Sequence, residues 1–156
     1  MIELLEIPVF TTDLTYAEKF FKEYDLHNPN GTNDYRYCIM ETDRDKDVLF
    51  HILNLKENMA NVRLFDRVVP RAPFCMILLE GETFLVNNFY EFYRERYDSA
   101  LICLAPQPLN DFDLTYVNNV ILAEEANRMV SFEPADSNRH KKILIEVLHH
   151  VLDRPV

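Results

Sequence analysis

Residues 35–53 read YRYCIMETDRDKDVLFHIL. Two strand-forming runs, Tyr35 to Glu41 and Val48 to Leu53, flank the charged stretch Thr42-Asp43-Arg44-Asp45-Lys46-Asp47. Bulky, half-apolar runs around a short polar turn read as a β-hairpin. Outward from this hairpin the rhythm changes. Strand-length apolar runs alternate with stretches whose apolar residues recur at helical spacing. The hairpin is therefore the one direct strand-to-strand step in the chain.

Upstream, Ile2 to Phe10 is an apolar run that predicts a buried first strand, and Thr11-Thr12-Asp13 reads as a turn and helix cap. Leu14, Ala17, Phe20, Phe21 and Tyr24 then mark a helix face, followed by a polar loop from His27 to Asn33. Downstream, a short helix is predicted around Val62 to Val69 and a strand over Phe74 to Leu79. A helix face runs through Leu85, Val86, Phe89, Phe92 and Tyr93, and a strand over Ala100 to Ala105 is stopped by Pro106-Gln107-Pro108. Leu114, Val117, Val120 and Ile121 mark a further helix, Met129 to Phe132 a last strand, and Ile143 to Leu152 an amphipathic final helix. The order β-α-β-β-α-β-α-β-α-β-α predicts an α/β three-layer domain spanning residues 1–156. Its sheet has about six strands, mostly parallel with one antiparallel, and helices on both faces.

Composition narrows the partners. Hydrophobic residues make up 48% of the chain, enough for a sheet buried on both sides. A net charge of −10 repels phosphate backbones and anionic lipid, so nucleic acid and membrane surfaces are not expected partners. Cys38, Cys75 and Cys103 lie within apolar runs and lack C-x-x-C spacing, which predicts reduced core thiols and no zinc. No basic leader region and no apolar run of about 18 residues is present, so a cytoplasmic location is expected.

The strand and helix order is that of Ras-like small GTPases, including their hairpin. The stretch from Met129 to Arg154 resembles the last strand, base-contacting loop and last helix of the bacterial branch related to the gliding-motility polarity GTPase, which pairs with roadblock-type proteins. Phe65-Asp-Arg-Val-Val-Pro-Arg-Ala72 resembles that branch's switch II helix. The resemblance implies a nucleotide-binding fold, yet the nucleotide motifs are degraded.

Gly31 and Gly81 are the only glycines, and no G-x-x-x-x-G-K-[ST] is present to wrap a phosphate in backbone N–H groups. At the position of that loop stand Thr11, Thr12, Asp13 and Thr15. Thr12 or Asp13 is expected to cap the following helix, with Asp13 placing a carboxylate where a phosphate would sit. The switch II Asp-x-x-Gly has become Leu55-Lys56-Glu57-Asn58 or a neighbouring register. The guanine-reading Asn-Lys-x-Asp has become Ala105-Pro106-Gln107-Pro108. Glu133-Pro134-Ala135-Asp136 keeps only an alanine of the family's Ser-Ala-Lys loop.

Other constellations are weaker. Asp43, Asp45 and Asp47 echo an EF-hand start, but Val48 stands where glycine is needed and Asn54 where glutamate is. His149 and His150 point about 100° apart on a helix and do not share a metal. The aromatics Phe84, Phe89, Tyr90, Phe92, Tyr93 and Tyr97 crowd one helix, either as a protein interface or as boundary packing.

These observations lead to the expectation of a non-catalytic pseudo-GTPase without cofactor or metal, binding a protein: a roadblock-type protein, a true GTPase or a second copy. The candidate surface comprises Asn58, Met59, Arg63, Phe65 and Asp66, with Tyr90 and Tyr93 as a second region. Two alternatives stand beside it. One is a non-standard nucleotide binder, with Lys19 or Lys56 at the phosphates. The other is a small α/β enzyme with Asp13, Gln107, Asn110 and Asp111 at the carboxyl ends of the strands.

Overall fold

The computed structural model of the chain describes residues 3–29, 31–41, 46–55, 62–79, 83–106, 111–132 and 137–152. Along them run β1 (Glu3–Thr11), α1 (Leu14–Phe20), β2 (Tyr35–Glu41), β3 (Lys46–Asn54), α2 (Val62–Val68) with a 3-10 turn (Val69–Arg71), and β4 (Cys75–Leu78). Then come α3 (Thr83–Arg96), β5 (Leu101–Pro106), α4 (Asp111–Tyr116) running into a π-helical turn (Val117–Ile121), β6 (Arg128–Phe132) and α5 (Ser137–Leu152). This is the order the sequence predicts. The strands form one sheet, β2-β3-β1-β4-β5-β6, in which only the β2–β3 pair is antiparallel. Strand β4 is buried along its whole length, as a central parallel strand covered on both faces must be.

Alternation along the strands divides the core in two. Ile7 and Val9 of β1, Phe50 and Ile52 of β3, and Met76 and Leu78 face α1 and α5, where they meet Phe20, Phe21, Leu144 and Leu148. On the other face Phe10, Leu53, Cys75, Ile77 and Cys103 meet Phe65 and Val69 beside α2, Val86, Phe89, Tyr90 and Tyr93 of α3, and Val117 and Ile121 of the π turn. Phe10 anchors this side, with its ring 5.3 Å from that of Phe65 and 4.3 Å from that of Phe89.

Two sequence readings change here. The buried stripe of α3 is Val86, Phe89, Tyr90 and Tyr93, an i, i+3, i+4, i+7 set, while Phe92 is only half-buried. The fourth helix widens into a π turn, so Val117 and Ile121 face the core while Val120 stays half-exposed. All three cysteines are buried in strands, and burial pushes each thiol up to about 12. They are core residues without nucleophilic character.

Candidate functional site at the end of the first strand

In an open α/β sheet, ligands bind beyond the carboxyl ends of the strands, where the order of connections reverses. Here that point lies where β1 passes into α1, beside β3 on one side and β4 on the other. Thr12 and Asp13 are the whole connection between β1 and α1. Asp13 adopts an extended backbone and caps α1, its Oδ1 accepting from the Thr15 N–H at 2.9 Å. Thr11 and Asp13 close a second small ring. The Asp13 N–H donates to Thr11 Oγ1 at 3.1 Å, and that hydroxyl donates to the Asp13 carbonyl at 3.0 Å. Thr11 and Thr12 are buried, and the Thr11 carbonyl accepts from the Leu55 N–H at 2.8 Å, drawing the end of β3 against the junction.

A phosphate cradle requires several consecutive N–H groups pointing into an arch. At this junction two such groups are directed at Thr11 and Asp13, and two residues span the gap. The Asp13 carboxylate also takes the positive end of the α1 dipole, the position an anionic ligand would use. The expected cap is thus formed by Asp13, not by Thr12.

The other candidate positions scatter. Pro106 ends β5, whereas Gln107, Pro108 and Asn110 fall outside the described residues, as do Asn58, Met59 and Lys56. Lys19 sits in the last turn of α1, at the opposite end of that helix from Asp13. Arg63 lies in α2.

Phe65, Tyr90 and Tyr93 are corrected as surface candidates, being 1%, 2% and 3% exposed. Their rings belong to the apolar stripe of α2 and α3, and the two hydroxyls are engaged within the chain. Tyr93 donates to the Ser99 carbonyl at 2.8 Å, and Tyr90 accepts from Asn127 Nδ2 at 3.1 Å. Asp66 does lie on the surface, but its carboxylate is committed. Arg96 donates to both its oxygens at 2.8 and 2.6 Å, and the Tyr97 hydroxyl donates at 2.7 Å. These bonds hold the Asp66 carboxyl down at about 2 and tie α2 to α3.

Two polar residues escaped the sequence reading. Asn127 is buried just before β6, where its Oδ1 accepts from the Leu101 N–H at 2.9 Å while Nδ2 donates to the Ile121 carbonyl and to Tyr90. His51, 5% exposed in the middle of β3, bridges Glu6 and Tyr35. Its Nε2 lies 2.9 Å from Glu6 Oε1, and its Nδ1 lies 2.6 Å from the Tyr35 hydroxyl. A carboxylate only accepts, so Nε2 donates to Glu6 Oε1, while Nδ1 and the Tyr35 hydroxyl share the second hydrogen bond.

A cleft of about 320 Å³ lies between α3 and the turn before β6, lined by Tyr90, Tyr97, Asp98, Glu124 and Asn127 among others. It sits at the amino ends of β5 and β6, opposite to the end where a strand-terminus enzyme site was expected. Among the described residues no cluster of His, Cys, Asp and Glu has the makings of a metal site. Nor is any described helix long and apolar enough to cross a membrane.

Comparison with solved structures places this geometry in context. IFT22 of T. brucei, in a GDP-bound crystal structure, is similar with a TM-score of 0.58 at 10% identity, over 99% of each chain. The fold is Ras-like. No family model matches the chain, and no curated protein matches it. The GDP belongs to IFT22; at 10% identity the likeness concerns the path of the backbone alone.

Proposed function

We propose that the chain is a pseudo-GTPase, a Ras-like fold that works as a protein-interaction module without nucleotide. The observation that carries this reading is the β1–α1 junction, where Thr11, Asp13 and Thr15 bond to one another in a two-residue connection. A Ras-like switch depends on a terminal phosphate to order its loops. With the phosphate position self-satisfied, binding proceeds through a surface held in one conformation by packing. The resemblance to the polarity GTPase branch makes a roadblock-type protein or a true GTPase the partner class to try first, in the cytoplasm of a bacterium.

Thermal unfolding with GTP, GDP, ATP or ADP and Mg²⁺ tests the reading. A ligand at about 100 times its dissociation constant stabilises the native state by ~2.7 kcal/mol, several degrees for a chain of this size. The expected result is no shift with any of the four. A shift of several degrees with one nucleotide would overturn the proposal.

A further inference from the structure

The sheet is not covered evenly. On the face that carries Phe10 and Leu53, the β2–β3 pairing and the β1–β3 pairing place Ile39, Leu49 and Glu6 side by side in one row across three strands. The next row toward the hairpin tip is Glu41, Asp47 and Leu4. Cover begins at the row above, where His51 and Pro8 are buried. In the two lower rows Ile39 is 50% and Leu4 52% exposed. Leu49 lies between them and is half-buried, so the three form an apolar diagonal across the sheet. The remaining positions are all carboxylates, and no described Lys or Arg falls in either row.

We infer that this face docks a protein segment that presents an apolar ridge bordered by lysines or arginines, such as a basic amphipathic helix. The inference rests on reading the chain as an interaction module. Charge selects the occupant. A second copy would set Glu6, Glu41 and Asp47 against their own counterparts, on a chain already at −10. A basic partner reverses that sign while its apolar side chains cover Leu4, Leu49 and Ile39. Glu6 is held in place for this, since His51 beneath it donates to its carboxylate and is itself fixed by Tyr35. The outer edge of β2 is partly closed to strand addition. His27 and Tyr37 exchange backbone hydrogen bonds there at 2.8 and 3.1 Å.

The test titrates the full chain, labelled with ¹⁵N, with two synthetic peptides of equal length and charge. One is an amphipathic leucine–lysine helix; in the other serine replaces leucine. The expected result is saturable perturbation of amides at 4–6, 39–41 and 47–49 by the leucine–lysine peptide, with the serine–lysine peptide at least about tenfold weaker. Leu4→Thr combined with Ile39→Thr should weaken the first peptide about tenfold while the unfolding midpoint holds. Should that pair unfold, Glu41→Gln with Asp47→Asn removes two carboxylates and should weaken binding and its salt dependence. Perturbation centred elsewhere, equal affinity for the two peptides, or variants that bind unchanged would overturn the inference. So would concentration-dependent dimerisation that the Thr pair abolishes. Nucleotide binding in the thermal assay would sink the pseudo-GTPase reading and leave this docking face standing, so the two failures are separable.

Discussion

The two ends of β1 are opposites. At its carboxyl end, Thr11 and Asp13 direct their polar groups at each other and at Thr15, and Leu55 bonds across from β3. At its amino end, Leu4 stands half in water beside Glu6, and the neighbouring strands continue the same pattern with Ile39, Glu41 and Asp47. An open α/β sheet that binds a ligand works through the first of these ends. Here the described residues at that end bond to one another, while Leu4 and Ile39 at the other stand half in water. Substitutions at each end measure how deep the contrast runs.

The largest effect is expected at Phe65, which seals the carboxyl end by packing its ring on Phe10. Phe65→Ala should cost about 3–5 kcal/mol and lower the unfolding midpoint by roughly 10 °C. A loss below about 1 kcal/mol would mean that the ring is dispensable to the core, and the α2 surface would regain its place as the partner site. Asn127→Ala comes next, at about 2 kcal/mol, because it removes the acceptor of the buried Leu101 N–H and leaves the Ile121 carbonyl with the Glu124 N–H as its donor. Denaturant unfolding of both variants gives the comparison directly.

Much of the fold was legible because the hairpin and the helical periodicities constrain it locally. Tyr35 to Glu41 and Val48 to Leu53 are strand-length runs on either side of a charged turn, which marks them as paired strands. Tyr90 and Tyr93 were harder. Counting aromatics on α3 suggested an excess on the surface, whereas position within the i, i+3, i+4, i+7 set decides burial. Their hydroxyls find partners in Asn127, distant in sequence, and in Ser99 past the end of α3, and no local pattern marks either. His51 was the one polar residue in the apolar run from Val48 to Leu53, a signal that a partner must exist. Only the β1–β3 register reveals that the partner is Glu6. The bare face was hidden for the same reason, since Leu4, Leu49 and Ile39 become neighbours only when three strands are aligned.

Closure of the carboxyl end is expected to survive loss of its cap. Asp13→Ala removes one side-chain acceptor from the α1 terminus and should cost about 1 kcal/mol. It should not create nucleotide binding, because two residues still span the gap from Thr11 to Leu14. A GTP-dependent thermal shift in this variant would show that the Asp13 carboxylate alone excludes the nucleotide.

The surface clasp at Asp66 gives a smaller effect with a definite pH signature. Its ordinary pKa of 3.8 falls to about 2 in the folded chain, chiefly through the hydrogen bonds from Arg96 and then Tyr97. A lowered carboxylate pKa stabilises the fold above the unfolded value, and that contribution disappears as pH falls through the folded one. The native chain should therefore lose this increment between about pH 4 and pH 2, while Asp66→Asn, already lacking it, should show a flatter profile over that interval. Parallel profiles for the two proteins would mean that the clasp is exchanged for water at no net gain, as exposed ion pairs often are.

The smallest stability change belongs to the open end, and its smallness is informative. Ile39→Thr keeps a β-branched residue on β2 and removes apolar surface that is half in water already. Stability should move by less than about 0.5 kcal/mol in either direction. Such a side chain, beside Leu49 and Leu4 and bordered by carboxylates, is free to meet whatever covers that face. If Ile39→Thr instead destabilised the chain by 2 kcal/mol or more, the side chain would be part of the core, well beyond what an exposed strand position accounts for. The diagonal would then be packing, and the two ends of β1 would no longer differ in kind.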